Sequence, residues 1–111
     1  MTDKELLEMA AKAAGIKIEF YEDACIGYCC GDDGRDWPWN PLADDGDALR
    51  LAVKLGLNVF TYGCNTPHPF AIVVADDDGI EIEEQPDFGD GFSATRRAIV
   101  RAAAEIGKAM E

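Results

Sequence analysis

Residues 57–84 read LNVFTYGCNTPHPFAIVVADDDGIEIEE, and the fold is decided here. Leu57 to Tyr62 and Phe70 to Ala75 are apolar at both alternating sets of positions, where a strand with one wet face would carry a polar residue at every second site. Such strands need cover above and below, and helices supply it. Asp77, Asp78 and Gly79 have the chemistry of a tight hairpin turn. Ile80 to Glu84 then alternates, with Glu81 and Glu83 pointing outward, the pattern of an edge strand guarded by charge. A turn this short cannot hold a parallel crossover, so at least one strand pair is antiparallel and a doubly wound nucleotide fold is excluded.

Upstream, Leu49, Ala52, Val53 and Leu55 mark a helix that Asp44 or Asp45 caps and Gly56 stops. Pro38 and Pro41 predict an extended connection over residues 37–42. Ile16, Ile18 and Phe20 alternate with Lys17 and Glu19 in a half-exposed strand, and a second short strand is expected from Ile26 to Cys30, closed by Gly31, Asp32, Asp33 and Gly34. At the start, Thr2 and Glu5 have capping-box spacing, and Leu6, Met9, Ala10 and Ala13 follow on one face as far as Gly15. Downstream, Ser93 is expected to cap a long helix with an apolar stripe of Ile99, Ala103, Ile106 and Met110. The predicted order is α-β-β-α-β-β-β-α. It implies one α/β (α+β) domain over residues 1–111, a three-layer α-β-α sandwich in which a largely antiparallel sheet of roughly four to five strands is flanked by three helices.

Composition narrows the function classes. The chain has 111 residues, enough for one hydrophobic core, and mean hydropathy of −0.14 leaves no excess of apolar surface for a membrane. MTDKELLEMAAK has acids where a secretory signal needs basic residues, so a cytoplasmic protein is expected. Against 10 Lys and Arg stand 22 Asp and Glu, a net charge of −12 that repels phosphate backbones and predicts no nucleic-acid partner. An acidic surface serves solubility, and it also fits a basic protein partner.

Three blocks resemble a known group of proteins: KELLEMAAKAAGI near the start, WNPLADDGDALRLAVKLGL at residues 39–57, and ATRRAIVRAAAEIGKAM at 94–110. Trp39, Asn40, Pro41, Leu42, Asp44, Asp45, Gly46 and Asp47 fall in the order found in the phage ABA-sandwich domain family, small proteins of phages and prophages. The resemblance implies a helix-sheet-helix sandwich and a phage or prophage origin. It implies no activity, and the segment with Cys25, Cys29, Cys30 and Cys64 lies outside it.

Several residue groups suggest chemistry. Cys25, Cys29, Cys30, Cys64 and His68 are the ligand types of tetrahedral zinc, but three residues separate Cys25 from Cys29 and Cys64 from His68, where a zinc knuckle has two. Packing as reduced thiols suits them better, and no metal or cofactor is expected. Gly89, Gly91 and Ala94 loosely spell a dinucleotide fingerprint ahead of the last helix, and Ser93, Arg96, Arg97 and Arg101 are candidates to hold an anionic small ligand there. Asp87 and Asp90 oppose that use and are expected to offset Arg96 and Arg97. From Asp76 to Asp90 run eight acids without a Lys or Arg. The alternate-position register of an EF-hand is missing, and Asp76, Asp77, Asp78, Glu81 and Glu83 form a candidate ridge for a basic partner. Trp37 is a separate candidate for an exposed anchor, whereas Trp39 is expected to be buried.

The chain has one His, no nucleophile elbow and no phosphate loop, and acids such as Glu22, Asp23, Asp32, Asp33 and Asp36 sit among turn formers. The expectation is a non-catalytic accessory protein that binds a host or phage protein. The alternatives are a nucleotide or signal-molecule binder and, last, a small metal-dependent enzyme.

Overall fold

A computed structural model of the chain describes residues 2–20, 27–30, 36–63, 70–75, 79–85 and 91–110, with backbone alone for 18–20, 27–30 and 36–38. Among the described residues the elements are α1 (Asp3–Ala14), β1 (Ile18–Phe20), β2 (Gly27–Cys30), β3 (Asp36–Trp39), α2 (Asp45–Leu55), β4 (Asn58–Tyr62), β5 (Phe70–Ala75), β6 (Ile80–Glu84) and α3 (Gly91–Ala109). Three helices and antiparallel sheet make a mixed α+β protein.

The helix ends follow from local chemistry. Thr2 accepts a hydrogen bond from the Glu5 N–H at 3.2 Å, and Asp44 accepts one from the Asp47 N–H at 2.8 Å, so each satisfies an orphan donor of its helix. Gly15 and Gly56 stop α1 and α2 in the left-handed conformation, with φ of 70° and 64°. The third helix departs from expectation. It begins at Gly91, so Ser93 lies inside the first turn and is not the cap; the Thr95 hydroxyl donates back to the Gly91 carbonyl at 2.6 Å.

The strands form two three-stranded antiparallel sheets, β1-β2-β3 and β4-β5-β6. The first includes residues read from their prolines as an extended connection, since Pro38 sits in β3 opposite Tyr28. A proline is compatible with β3 because that strand lies at the edge of its sheet, where a missing N–H can face away from the ladder. In the second sheet Ala75 pairs with Ile80, which is the antiparallel hairpin expected from the turn chemistry. Asp76, Asp77 and Asp78 themselves lie outside the described residues.

The center of the packing is α3. It lies against β5 and β6 and also carries α1 and α2. Its buried set, Ala94, Ala98, Ile99, Val100, Ala102, Ala103, Ala104 and Gly107, is therefore much wider than one stripe; Ile106 is half-buried and Met110 exposed. Helices α1 and α3 run in the same direction, since Arg97 meets Asp3, Gly107 meets Met9 and the Lys12 ammonium donates to the Met110 carbonyl at 2.7 Å. At Gly107 the two come very close. A Cβ on Gly107 would overlap the Met9 carbonyl oxygen and stand 2.8 Å from its carbon, so the two backbones approach as closely as glycine permits.

Cover on both faces of β4 and β5 is not what the described residues show. In β5 Ala71, Val73 and Ala75 are buried while Phe70, Ile72 and Val74 are only half-buried, and β4 is exposed along its whole length. The cause is where the helices sit: α3 covers the Ala71–Val73–Ala75 side, centred on β5 and β6, and α1 and α2 stack on α3. The expected apolar face of α2 also shifts. Ala48, Leu51 and Ala52 are buried together with Asp47, Leu55 is half-buried, and Leu49 and Val53 are 63% and 73% exposed.

Polar ties set that rotation of α2. The Asp47 carboxylate is buried, accepts from the Asn40 N–H at 2.9 Å and meets the Arg50 guanidinium at 2.6 Å. From α3, Arg96 donates to the Leu42 carbonyl at 2.9 Å and pairs with Asp45 at 2.6 Å. With Trp39 and Pro41 also buried, the block at 39–47 is explained as a loop-and-cap structure that docks α2 on α3. Asp47→Ala leaves the half-buried Asn40 N–H without its acceptor, and urea unfolding should register a loss of about 1–3 kcal/mol. A loss below about 0.5 kcal/mol would mean that this carboxylate does not hold the loop.

Candidate docking face

Register assigns each side chain of the second sheet to a face. Residues paired across antiparallel strands share a side, so Val59, Thr61, Ala71, Val73, Ala75, Ile80, Ile82 and Glu84 lie on the α3 side. The opposite, outer side presents three rows across the strands: Asn58–Val74–Glu81, Phe60–Ile72–Glu83 and Tyr62–Phe70. Phe60 and Tyr62 are 46% and 44% exposed, and the rings of Tyr62 and Phe70 stack with centroids 4.7 Å apart. Five adjacent apolar or aromatic side chains thus make a flat face, with exposed Glu81 and Glu83 along the β6 side of it. Phe60 and Tyr62 are exposed on it and Phe70, Ile72 and Val74 half-buried, which makes it a candidate docking face, and its one-sided acidic border suits a cationic flank.

A second feature is a polar cleft of about 380 Å³ beside the start of α3, lined by Asp3, Leu42, Glu84, Gln85, Ser93, Ala94 and Arg97. It gathers some of the candidate anion-binding residues but not all. The Arg97 guanidinium lies 3.2 Å from Asp3 and 3.8 Å from Glu84, and Arg101 pairs with the other oxygen of Glu84. Arg96 is drawn to α2 by Asp45 and Leu42. Each candidate arginine already faces a carboxylate, so an incoming phosphate would have to displace one and meet the other. Among the described residues the acids that offset these arginines are Asp3, Asp45 and Glu84; Asp87 and Asp90, expected in that role, lie outside the described residues.

No family model, curated protein or solved structure matches this chain. What its surfaces can do follows from their own geometry. Of the residues singled out for partner binding, Glu81 and Glu83 are exposed on the outer face, Trp37 is described only through its backbone pairing with Cys29, and Asp76, Asp77 and Asp78 are outside the described residues. Cys25, Cys64 and His68 are outside them too, as are Glu22, Asp23, Asp32 and Asp33, while Cys29 and Cys30 enter only as backbone partners of Trp37 and Asp36. Among the described residues no helix is long and apolar enough to cross a membrane.

Sequence reasoning missed Phe60, Tyr62, Phe70, Ile72 and Val74 as a surface. The signal was present, because these residues made both faces of β4 and β5 apolar. It was read as a demand for a second helical layer within one chain, when an interface satisfies the same demand.

Proposed function

We propose that this chain is a non-catalytic binding protein, a phage or prophage accessory factor whose outer sheet face docks a basic protein of host or phage. The observation that carries this reading is the outer face itself, five neighbouring apolar side chains with Glu81 and Glu83 on one border. A net charge of −12 supports fast, salt-sensitive association with a cationic surface. Resemblance to the phage ABA-sandwich family supports the setting, and the three-layer α-β-α arrangement that it implies is completed when a helix of the partner lies on this face. Binding of a nucleotide at the α3 cleft ranks second, because Asp3 and Glu84 occupy the arginines.

The test is affinity capture from bacterial lysate with the wild-type chain and with Phe60→Asp in parallel. Phe60 is exposed, so the substitution spares the core. A specific partner should be retained by wild type, released steeply as salt rises, and bound about 30-fold more weakly by the variant. Equal retention by the two chains would remove the sheet face from the function. A nucleotide-dependent thermal shift that disappears in Arg97→Ala would favour the cleft instead.

A further inference from the structure

The two edges of the β4-β5-β6 sheet are built differently. On β6, Glu81 and Glu83 are exposed and Glu84 is tied to Arg97 and Arg101, a density of charge that keeps a foreign strand from adding there. On β4 the run Asn58–Tyr62 holds no charged residue and no proline, and all of its residues are exposed. Val59 and Thr61 are exposed even though they lie on the α3 side, because α3 is centred on β5 and β6. Among the described residues β4 pairs with β5 alone. Alternate residues of an antiparallel strand turn their N–H and C=O to opposite sides, so the set that does not face β5 points outward along this edge.

We propose that β4 takes up an extended, cationic segment of a partner protein as a fourth strand of the sheet. The inference rests on the reading of this chain as a binder of a basic protein, and adds to it the mode of recognition. Backbone pairing along an edge accepts only an extended chain, and β4 has room for about five residues of one, roughly 17 Å. Alternate side chains of the added strand meet two different rows, Phe60 and Tyr62 on the outer side and Val59 and Thr61 on the inner side. Aromatic and β-branched residues suit both rows. Charge selects among such strands. The β4 run is neutral and repels nothing in contact, while the whole chain carries −12 and draws a segment with Lys or Arg at its ends. A second copy would bring the same −12 and an equally neutral β4, so that field opposes it.

Selection from a displayed library of random heptapeptides against the immobilised full chain tests the proposal. Peptides that alternate β-branched or aromatic residues and carry Lys or Arg at the ends should emerge. In one of these, N-methyl groups along one edge of the strand should weaken binding about 10-fold or more, and along the other edge leave it within about 2-fold, since only one edge pairs with β4. Thr61→Lys, at an exposed site, should weaken binding about 10-fold as well, and bound peptide should slow hydrogen exchange at β4 amides but not at those of β6. A library that yields nothing, or yields proline-rich or acidic peptides, would overturn the inference, as would equal effects of the two methylation patterns or indifference to Thr61→Lys. A wild type that sediments as a dimer, and a monomeric Thr61→Lys, would overturn it too, because a second copy would then hold the edge. Phe60-dependent capture reads the outer face and methylation reads the edge. A partner captured without any strand-forming peptide therefore sinks only this inference, and a peptide bound at β4 with no partner captured sinks only the earlier reading.

Discussion

Gly107→Ala should destabilise the protein by on the order of 3 kcal/mol, although the same exchange at an exposed helical site stabilises by about 1 kcal/mol. Two effects compete. Alanine restricts the unfolded chain and favours the helix, a gain that any mid-helix glycine offers. Against it, the new methyl would overlap the carbonyl oxygen of Met9, and backbone cannot swing aside as a side-chain tip can. Helices α1 and α3 must then separate, which loosens their packing. Overpacking wins because its cost exceeds the propensity gain several-fold. Urea denaturation reads the sign directly, and a more stable variant would show that the helices are not in such close contact.

Trp39→Ala should cost about 3–5 kcal/mol, the range for deleting a large buried aromatic side chain. Trp39 is the last residue of β3, its backbone opposite Gly27, while its side chain belongs to the core that the helices share with β5. It joins the first sheet to the rest of the molecule, so its loss opens a cavity and frees an attachment together. Trp39→Phe should recover part of the loss. Denaturation midpoints within about 0.5 kcal/mol of wild type in Trp39→Ala would refute that role.

Local signals were the most legible part of the fold. Thr2 and Asp44 cap the helices they were expected to cap, Gly15 and Gly56 end them, and the β5–β6 hairpin pairs as its turn chemistry requires. Each of these depends on contacts within a few residues. What could not be read depends on contacts far along the chain. The rotation of α2 is set by Arg96, some fifty positions away, reaching Asp45 and Leu42, and that choice exposes Leu49 and Val53 in place of Ala48 and Leu51. Ser93 was misplaced because the helix already includes Gly91 and Phe92. At the candidate site, Glu81 and Glu83 were legible from strand alternation. The apolar face beside them was not, because an apolar strand pair looks the same in sequence whether its cover comes from its own chain or from another.

The alanines and glycine buried around α3 bear on sequence drift. These positions accept subtraction far better than addition, so nearly every random replacement there is rejected for bulk alone. Ala10, Ala98, Ala102, Ala103 and Gly107 should then vary least among descendants of this chain, while exposed Phe60 is freer to change. The most unchanging positions of the molecule would thus perform no chemistry, and its exposed sheet face would be among the quickest to diverge.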